Sequence, residues 1–448
     1  MKISPLLGNV GIVVRMKKFF SGKSFIRNVL VLTGGTAFAQ LLVVAVSPLL
    51  TRMYHPEDFG TLAVYASLLS VLAVVASLRY ELAILLPDKE EDAANIMVLS
   101  LLMLIGMTAL VSLCVWLFGD GLVQSVGAPA LRPYLWLLPC SVFGVGLYQI
   151  LNYWSVRKRE FGRVAATKVR QSTAQVITQI ICGLMAWRPL GLLLGDAIGR
   201  VGGSGTLARN VFKTDKEALK GVSASRMKEM AIRYKRFPLL TSFSSLFNSA
   251  GLQLPPLLLV AFFGAQIGGF YALVQRVVGA PMTMVGQSVA QVFFGESARL
   301  ARENPHALRK LYFKAAGKLL LFGGLPIGAL ALVAPWVFEL VFGAAWEEAG
   351  VYIQIMALGF IAQFVVVPLS QTLNMLERQG IQLAWDIFRF VIIIGGLVLS
   401  AVLKLPAREA ILIYGAGMFV CYVVLFFLSA YAVIQHSKKG IQHEQHQE

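Results

Sequence analysis

About a dozen apolar stretches of membrane-spanning length follow one another along this chain, separated by polar loops. A run of about 20 apolar residues crosses the ~30 Å hydrocarbon core of a bilayer as a helix. Lone helices satisfy every backbone hydrogen bond there, whereas open strands do not. With 57% hydrophobic and 14% charged residues, the sequence predicts an all-α polytopic membrane protein. The twelve predicted transmembrane helices cover 29–50, 61–86, 93–118, 133–156, 164–187, 189–208, 239–263, 269–294, 315–342, 349–372, 380–403 and 408–434.

Basic residues mark one side of the membrane. Most lysines and arginines outside the predicted spans lie in loops and tails on that side, chiefly in 1–28, 157–163, 209–238, 295–314 and 435–448. Because loops rich in Lys and Arg stay in the cytoplasm, we expect both termini to be cytoplasmic, in a bacterial inner membrane. This orientation accounts for the net charge of +17, and we expect no nucleic-acid partner.

The hydrophilic segment 209–238 divides the predicted spans into two sets of six, 29–208 and 239–434. It carries nine basic residues among spaced apolar ones, which favours an amphipathic helix on the cytoplasmic membrane surface. A solvated linker that only orients the protein is the alternative, and the two are compatible. The terminal segments 1–28 and 435–448 complete the predicted organisation.

A stripe of amides runs along the predicted span 164–187. Gln171, Gln175 and Gln179 recur every four residues, so they share one face of a helix. Lipid does not tolerate such a face, which therefore meets protein or water. We interpret it as the wall of a polar cavity, and the alternative is that the amides only join helices. Further polar side chains predicted to line this cavity are Gln40, Asn248 and Gln253.

Ionisable residues inside the predicted spans are costly and point to a functional site. Asp196 and Arg200 are four residues apart and Asp386 and Arg389 three apart, so each pair lies on one helix face and either acts in a cavity or neutralises itself. Arg276 has no acid within helical reach. An arginine without a partner suits an anionic ligand, above all a phosphate.

The segment 61–86 also carries ionisable residues, Arg79 and Glu81. Arg79 lies near the cytoplasmic end of its span, from where a long side chain can reach the interface. The chain shows no nucleotide-binding or metal-binding motif. Its four cysteines lie in predicted spans without CxxC spacing, which indicates free thiols. We therefore expect no cofactor and no metal.

The segment from Leu50 to Ile96 resembles the amino-terminal region of Wzx-type polysaccharide biosynthesis flippases, in the MOP superfamily. Two patterns carry the resemblance: TR-x-Y-x-P-x-DFG, and RYE-x-A-I-x-LP. The matching residues are Arg52, Tyr54, Pro56, Asp58, Phe59, Gly60, Arg79, Tyr80, Glu81 and Pro87. The twelve-span layout extends the likeness over nearly the full chain.

This resemblance implies two six-helix lobes around a central cavity and transport by alternating access. It implies a transporter, not an enzyme, that flips polyprenyl-diphosphate-linked oligosaccharides for O-antigen, capsule or exopolysaccharide assembly. The expected coupling ion is H⁺ or Na⁺, and the expected protein partners are polysaccharide polymerase or assembly proteins. The residues expected to hold the diphosphate or an acidic sugar are Arg276, Arg79, Arg200 and Arg389. The candidates for the coupling ion are Glu81, Asp196 and Asp386.

Two other functions stay open from the sequence. A multidrug or small-solute exporter of the same superfamily would share the lobes, but it would need an acid-rich cavity for cations, whereas the in-span residues singled out above include four arginines and only three acids. A membrane glycan polymerase or ligase would need a large outward loop with catalytic residues, and the predicted outward loops are short.

Overall fold

A computed structural model describes residues 23–445, which form helices joined by short turns without a β-strand. Nine helical rods in this range are long and apolar enough to cross a membrane, so the all-α polytopic class is confirmed. The predicted amino-terminal segment 1–28 lies mostly outside the described residues, as does the end of the predicted tail 435–448.

The first half of the chain contains several short or interrupted helices that the sequence does not predict. Three of its rods are among the nine, and the others are more polar or interrupted. The helices are α1 Lys23–Ala45, α2 Ser47–Met53, α3 Pro56–Val75, α4 Tyr80–Ala83, α5 Glu90–Ser125, α6 Leu137–Arg157, α7 Phe161–Leu184, α8 Leu190–Val201, α9 Ser204–Thr214, α10 Lys216–Lys220 and α11 Ala224–Arg233.

The second half supplies the remaining six apolar rods. Its helices are α12 Ser242–Phe263, α13 Ala265–Val274, α14 Ala280–Glu303, α15 Pro305–Leu319, α16 Leu325–Phe342, α17 Glu347–Met375, α18 Gln379–Val402 and α19 Ala407–Gln445. Two wider π-helical turns, Gln275–Gly279 and Leu320–Gly324, connect α13 to α14 and α15 to α16. Each turn directly precedes a proline, Pro281 or Pro326. Because proline has no N–H to donate to the preceding turn, the helix widens there without ending.

The predicted helix 61–86 is wrong at both ends. It begins earlier, at Pro56, where the Asp58 carboxylate accepts a 2.9 Å hydrogen bond from the His55 backbone N–H. It also breaks after Val75 and resumes at Tyr80. Ordinary hydrophobic periodicity contains no sign of this break.

The predicted helix 189–208 is also two helices, because the chain turns at Gly203. This glycine has φ +80°, a conformation that costs residues with a Cβ atom energy. The second helix, α9, runs past the predicted boundary at 209 into the linker. The linker then folds as the short helices α10 and α11 against α5.

Asn95 of α5 fixes the linker in place. Its amide donates to the Gly221 carbonyl at 3.1 Å and its side-chain oxygen accepts from the Ser223 N–H at 3.0 Å. Asn95 is fully buried, and Met230 of α11 is buried in the same core. The linker is thus a folded part of the first lobe and not a free tether.

The helices form two lobes with separate apolar cores. One core is built almost entirely from residues of the first half, including Trp154. The other is built mainly from residues of the second half, including Tyr352 and Phe360. Helix α3 of the first lobe packs on α12 and α13 of the second, so the two lobes meet along this helix.

Candidate functional site

A cavity of about 970 Å³ opens between α3 of the first lobe and five helices of the second, α12, α13, α17, α18 and α19. Four residues singled out from the sequence line it: Asn248, Gln253, Asp386 and Arg389. The cavity wall also includes Gln275, from the π-helical turn between α13 and α14. The polar groups of the second lobe therefore converge on one chamber.

Tyrosines of α13 and α19 form much of the cavity wall, and the sequence analysis missed them. The Tyr271 and Tyr414 hydroxyls are 3.0 Å apart, and the Gln275 amide donates to Tyr271 at 2.7 Å. Tyr422 lines the same wall. A spacing of eight residues puts Tyr414 and Tyr422 on one helix face, which is the signal that would have identified them.

Arg389 and Asp386 form a loose ion pair inside this cavity. Arg389 Nη2 lies 3.6 Å from Asp386 Oδ1, and the aspartate is 44% exposed. The guanidinium carbon lies 4.9 Å from the Trp385 ring centroid, and Gln382 donates to the carboxylate at 3.4 Å. The predicted pair forms, but it leaves donors and acceptors free to face a ligand.

Arg276 lies where the two lobes face each other. It belongs to the π-helical turn before Pro281, and such turns are frequent at functional sites. Its Nη2 contacts Gln179 Oε1 of α7 at 3.5 Å, and its buried Nε has no partner. Among the described residues no carboxylate lies within ion-pair distance of it, although Asp196 acts on it electrostatically.

The same region of the first lobe holds two more cations. Arg200 Nε is 2.7 Å from Asp196 Oδ2. Lys168 Nζ lies 4.7 Å from the centroid of the Tyr148 ring and close enough to Arg200 for their charges to interact. Lys168 was missed because the sequence analysis considered only the amides of its helix. Asp196 thus pairs with Arg200 and acts electrostatically on Arg276, while Lys168 neighbours Arg200, and we call Lys168, Arg200 and Arg276 the cation cluster.

The amide stripe of α7 meets protein and not the 970 Å³ cavity. Gln171 donates to the Arg200 carbonyl at 3.0 Å and Gln179 to the Leu192 carbonyl at 3.3 Å. Gln175 of α7 packs against Gly199 of α8. None of the three lines the 970 Å³ cavity, and the amides of Gln171 and Gln179 join α7 to α8.

The remaining candidates also lie away from the large cavity. Glu81 is almost fully buried, 3.5 Å from Arg79 and 2.5 Å from the Ser77 hydroxyl. Leu78 and Arg79 have φ of 50° and 61°, a strained conformation for residues with side chains that brings the two charges together. Gln40 is half-buried on α1 and does not line the cavity.

One end of the interface between the lobes is closed by a tight contact that we call the clasp. Gly60 of α3 lies against the Ala265 backbone, and Gly269 of α13 lies against the Pro56 carbonyl. Phe59 meets the ring of Trp346 with centroids 5.0 Å apart. The indole N–H of Trp346 donates to the Thr51 carbonyl at 3.1 Å.

Beside the clasp and within the first lobe, the Tyr54 hydroxyl donates to the Gln179 carbonyl of α7 at 2.7 Å. Tyr54, Pro56, Phe59 and Gly60 belong to the first of the two patterns that carry the family resemblance. The pattern therefore builds the contact between the lobes.

The described residues contain no group of three or more His, Cys, Asp or Glu side chains placed to hold a metal ion.

Comparison with known proteins identifies the family. A family model described as polysaccharide biosynthesis protein matches residues 49–351. The chain belongs to this family. It is also 23% identical, over 79% of its length and 70% of the relative's, to the succinoglycan biosynthesis transport protein ExoT of Rhizobium meliloti (strain 1021).

Solved structures confirm the MOP superfamily fold. An inward-facing multidrug resistance MATE family transporter matches with TM-score 0.67 and 17% identity over 91% of this chain and 96% of that one. The lipid II flippase MurJ in an inward closed conformation matches with TM-score 0.66 and 13% identity, over 92% and 91%. The chain is a multi-pass membrane protein with the two-lobed architecture of these transporters.

Proposed function

We propose that this protein flips a polyprenyl-diphosphate-linked oligosaccharide repeat unit across a bacterial inner membrane, from the cytoplasmic to the periplasmic leaflet. The observation that carries the proposal is Arg276. It is half-buried at the meeting of the lobes and its buried Nε has no hydrogen-bond partner, in a chain of a polysaccharide biosynthesis family. A partly desolvated guanidinium without an ion-pair partner is costly unless a ligand supplies the negative charge.

The cation cluster fits the diphosphate. Arg200 is paired with the Asp196 carboxylate, whereas no carboxylate in the described part of the chain lies within ion-pair distance of Lys168 or Arg276, so two charges remain for an anion. A single arginine guanidinium binds a phosphate through two parallel N–H···O hydrogen bonds. The bound diphosphate would supply the negatively charged partner that Arg276 lacks, and the polyprenyl chain would stay in the bilayer.

The 970 Å³ cavity fits the oligosaccharide. Pockets for drug-sized ligands measure about 300–1,000 Å³, so this one has room for several sugar units. Its wall combines the hydroxyls of Tyr271 and Tyr414 with the amides of Gln253 and Gln275. Sugars present hydroxyl groups at their edges and apolar C–H faces, which these amides and aromatic rings complement.

The clasp supports a transport cycle by alternating access. It closes the lobes at the end where the charge distribution predicts the periplasm, as expected for a state open toward the cytoplasm. Asp196 is the candidate for the coupling ion, H⁺ or Na⁺, because it pairs with Arg200 and acts electrostatically on Arg276. Neutralising it would free Arg200 for the diphosphate, which links ion binding to substrate binding.

The test measures lipid-linked oligosaccharide and surface polysaccharide in cells that lack the protein and carry wild-type, Arg276→Ala or Arg132→Ala copies. Arg132 is the control, since it is exposed and paired with Asp120 far from the cavity. We expect the carrier intermediate to accumulate with Arg276→Ala and to clear with Arg132→Ala at equal membrane expression. Full-length polymer without accumulated intermediate in the deletion strain would refute the proposal.

Export of a small organic cation is the second candidate, favoured by the fold shared with a multidrug transporter. The charge of the site argues against it. Lys168, Arg200 and Arg276 outnumber Asp196 in the cation cluster, and in the large cavity Asp386 is paired with Arg389. A site for cations would need free carboxylates. Uptake of cationic dyes into cells lacking the protein distinguishes the two candidates.

A further inference from the structure

A second cleft of about 320 Å³ lies between the beginning of α7 and the end of α9, apart from the residues that line the large cavity. Four basic side chains line it, Arg163, Arg170, Arg209 and Lys213, together with polar groups that include Thr206. The cleft lies beside the basic turn after α6, on the side of the membrane that the charge distribution predicts to be cytoplasmic. We call it the basic cleft.

Most of the positive charge in the basic cleft is uncompensated. Arg163 forms an ion pair with Glu160. Within the described part of the chain, no carboxylate lies within ion-pair distance of Arg170, Arg209 or Lys213. Three cations on neighbouring helices repel one another, so an anion between them would stabilise the arrangement.

Hydrogen bonds hold the walls of the basic cleft together before any ligand binds. Asn210 of α9 donates to both carboxylate oxygens of Glu160, at 3.1 and 3.2 Å. Arg170 donates to the Thr206 hydroxyl at 3.3 Å. The one acid at this site is thus occupied with joining α9 to the turn before α7, and a preformed site loses little entropy on binding.

We propose that the basic cleft binds the phosphate group of a membrane lipid. Arginine recognises phosphate through paired N–H donors, and three surplus cations match the charge of a phosphate monoester or a diphosphate, ~2 negative charges or somewhat more. The cleft lining contains no aromatic ring on which a nucleotide base would stack. The adjoining face of α7 exposes Ile177 and Ile181, apolar surface suited to lipid chains.

Two sources supply this chemistry: the diphosphate of a polyprenyl carrier, or the headgroup of an anionic phospholipid. With a carrier, the basic cleft is a docking station on the way to the cation cluster. With a phospholipid, it is a lipid site that is occupied whether or not the protein flips a saccharide. The inference goes beyond the proposed function in either case, because none of its residues belongs to the cavity or the cation cluster.

The experiment measures lipid binding to the purified full-length protein in phosphatidylcholine nanodiscs. The probes are farnesyl diphosphate and a short-chain phosphatidylglycerol, each titrated at physiological ionic strength. The cleft variant combines Arg170→Gln, Arg209→Gln and Lys213→Gln. The control variant combines Arg309→Gln, Lys310→Gln and Lys314→Gln, which removes equal charge from exposed side chains of α15.

We expect at least one probe to bind the wild type. The cleft variant should bind that probe about tenfold more weakly, because each exposed ion pair contributes only a little and the variant removes three of them. The control variant should stay within about twofold. The probe that responds identifies the source of the phosphate. Failure of both probes to bind, or equal weakening in both variants, would overturn the proposal. Carrier clearance in cells is measured separately, so the proposed flippase activity can fail while this site stands.

Discussion

Replacing Gly269 by alanine should open the clasp. A Cβ atom at this position would lie 2.7 Å from the Pro56 carbonyl carbon and closer still to its oxygen. Ordinary contacts between carbon atoms are about 3.5–4.0 Å, so α13 and α3 must separate by about 1 Å. Both contacting groups are backbone, and no side chain can rotate away to absorb the change.

The energetic effect follows from what this separation disturbs. Overpacking of a tight contact costs about 1–3 kcal/mol. Loss of the buried hydrogen bond from Trp346 to the Thr51 carbonyl adds about 1–3 kcal/mol. Together they disfavour the closed clasp by about 2–6 kcal/mol, whereas about 5.5 kcal/mol converts a 99:1 population into 1:99. The substitution should therefore shift most molecules toward the state open at this end.

Spin labels at Ser125→Cys and Glu409→Cys would report the change, in a background without the four native cysteines. Both positions are exposed at the clasp end, one in each lobe. Electron–electron resonance should show a longer distance for Gly269→Ala than for the parent. Gly295→Ala is the control, since a Cβ there meets nothing within 4 Å. Equal distance distributions for both variants would show that the glycine contact does not set the closed state.

Three other substitutions test the fold and the cavity. Asn95→Ala removes two buried hydrogen bonds to the linker backbone, and tryptic cleavage of the linker should accelerate by about five- to 150-fold, as expected for about 1–3 kcal/mol. Tyr414→Phe should lower the free energy of unfolding by only about 1 kcal/mol, measured by chemical denaturation, because Tyr271 keeps its bond from Gln275, yet it should weaken oligosaccharide retention in transport assays. Partial burial lowers the pKa of Lys158, but hydrogen bonds to the Glu90 and Asp215 carboxylates outweigh this and raise the pKa above its usual value of 10.5. The charged lysine should therefore stabilise the fold below that pH and cease to do so as the pH rises through the raised pKa. Thermal unfolding of Lys158→Met and wild type should differ at neutral pH and converge at high pH.

Hydropathy predicted the membrane class because lipid leaves the backbone few options. The same reasoning picked out Arg276, since the absence of an acid at helical spacing is visible in the sequence. It misjudged the face formed by Gln171 and Gln179. Periodicity states which side chains share a face, but not what that face meets. Here the partners are the backbone carbonyls of Arg200 and Leu192, which carry no pattern of their own.

The Arg79–Glu81 pair shows a second kind of failure. Residues two apart point to different sides of a regular helix, so the sequence gives no reason to pair them. Positive φ at Leu78 and Arg79 breaks the helix and brings the charges within 3.5 Å. The pairing with Arg79 stabilises the buried Glu81 carboxylate, because burying this carboxylate alone would cost more free energy than forming the strained turn.

The clasp lies wholly within the segment matched by the family, whereas part of the cavity wall lies beyond it, and this separates two tasks. Pro56, Gly60 and Gly269, which form the clasp, lie within the segment matched by the family, residues 49–351. Arg389 and Tyr414 of the cavity wall come after it. Side chains of α18 and α19 can therefore change without disturbing the backbone contact between the lobes. If the clasp times the opening of the lobes, residues of these late helices select which head group fits, and one transport cycle can serve different polysaccharides.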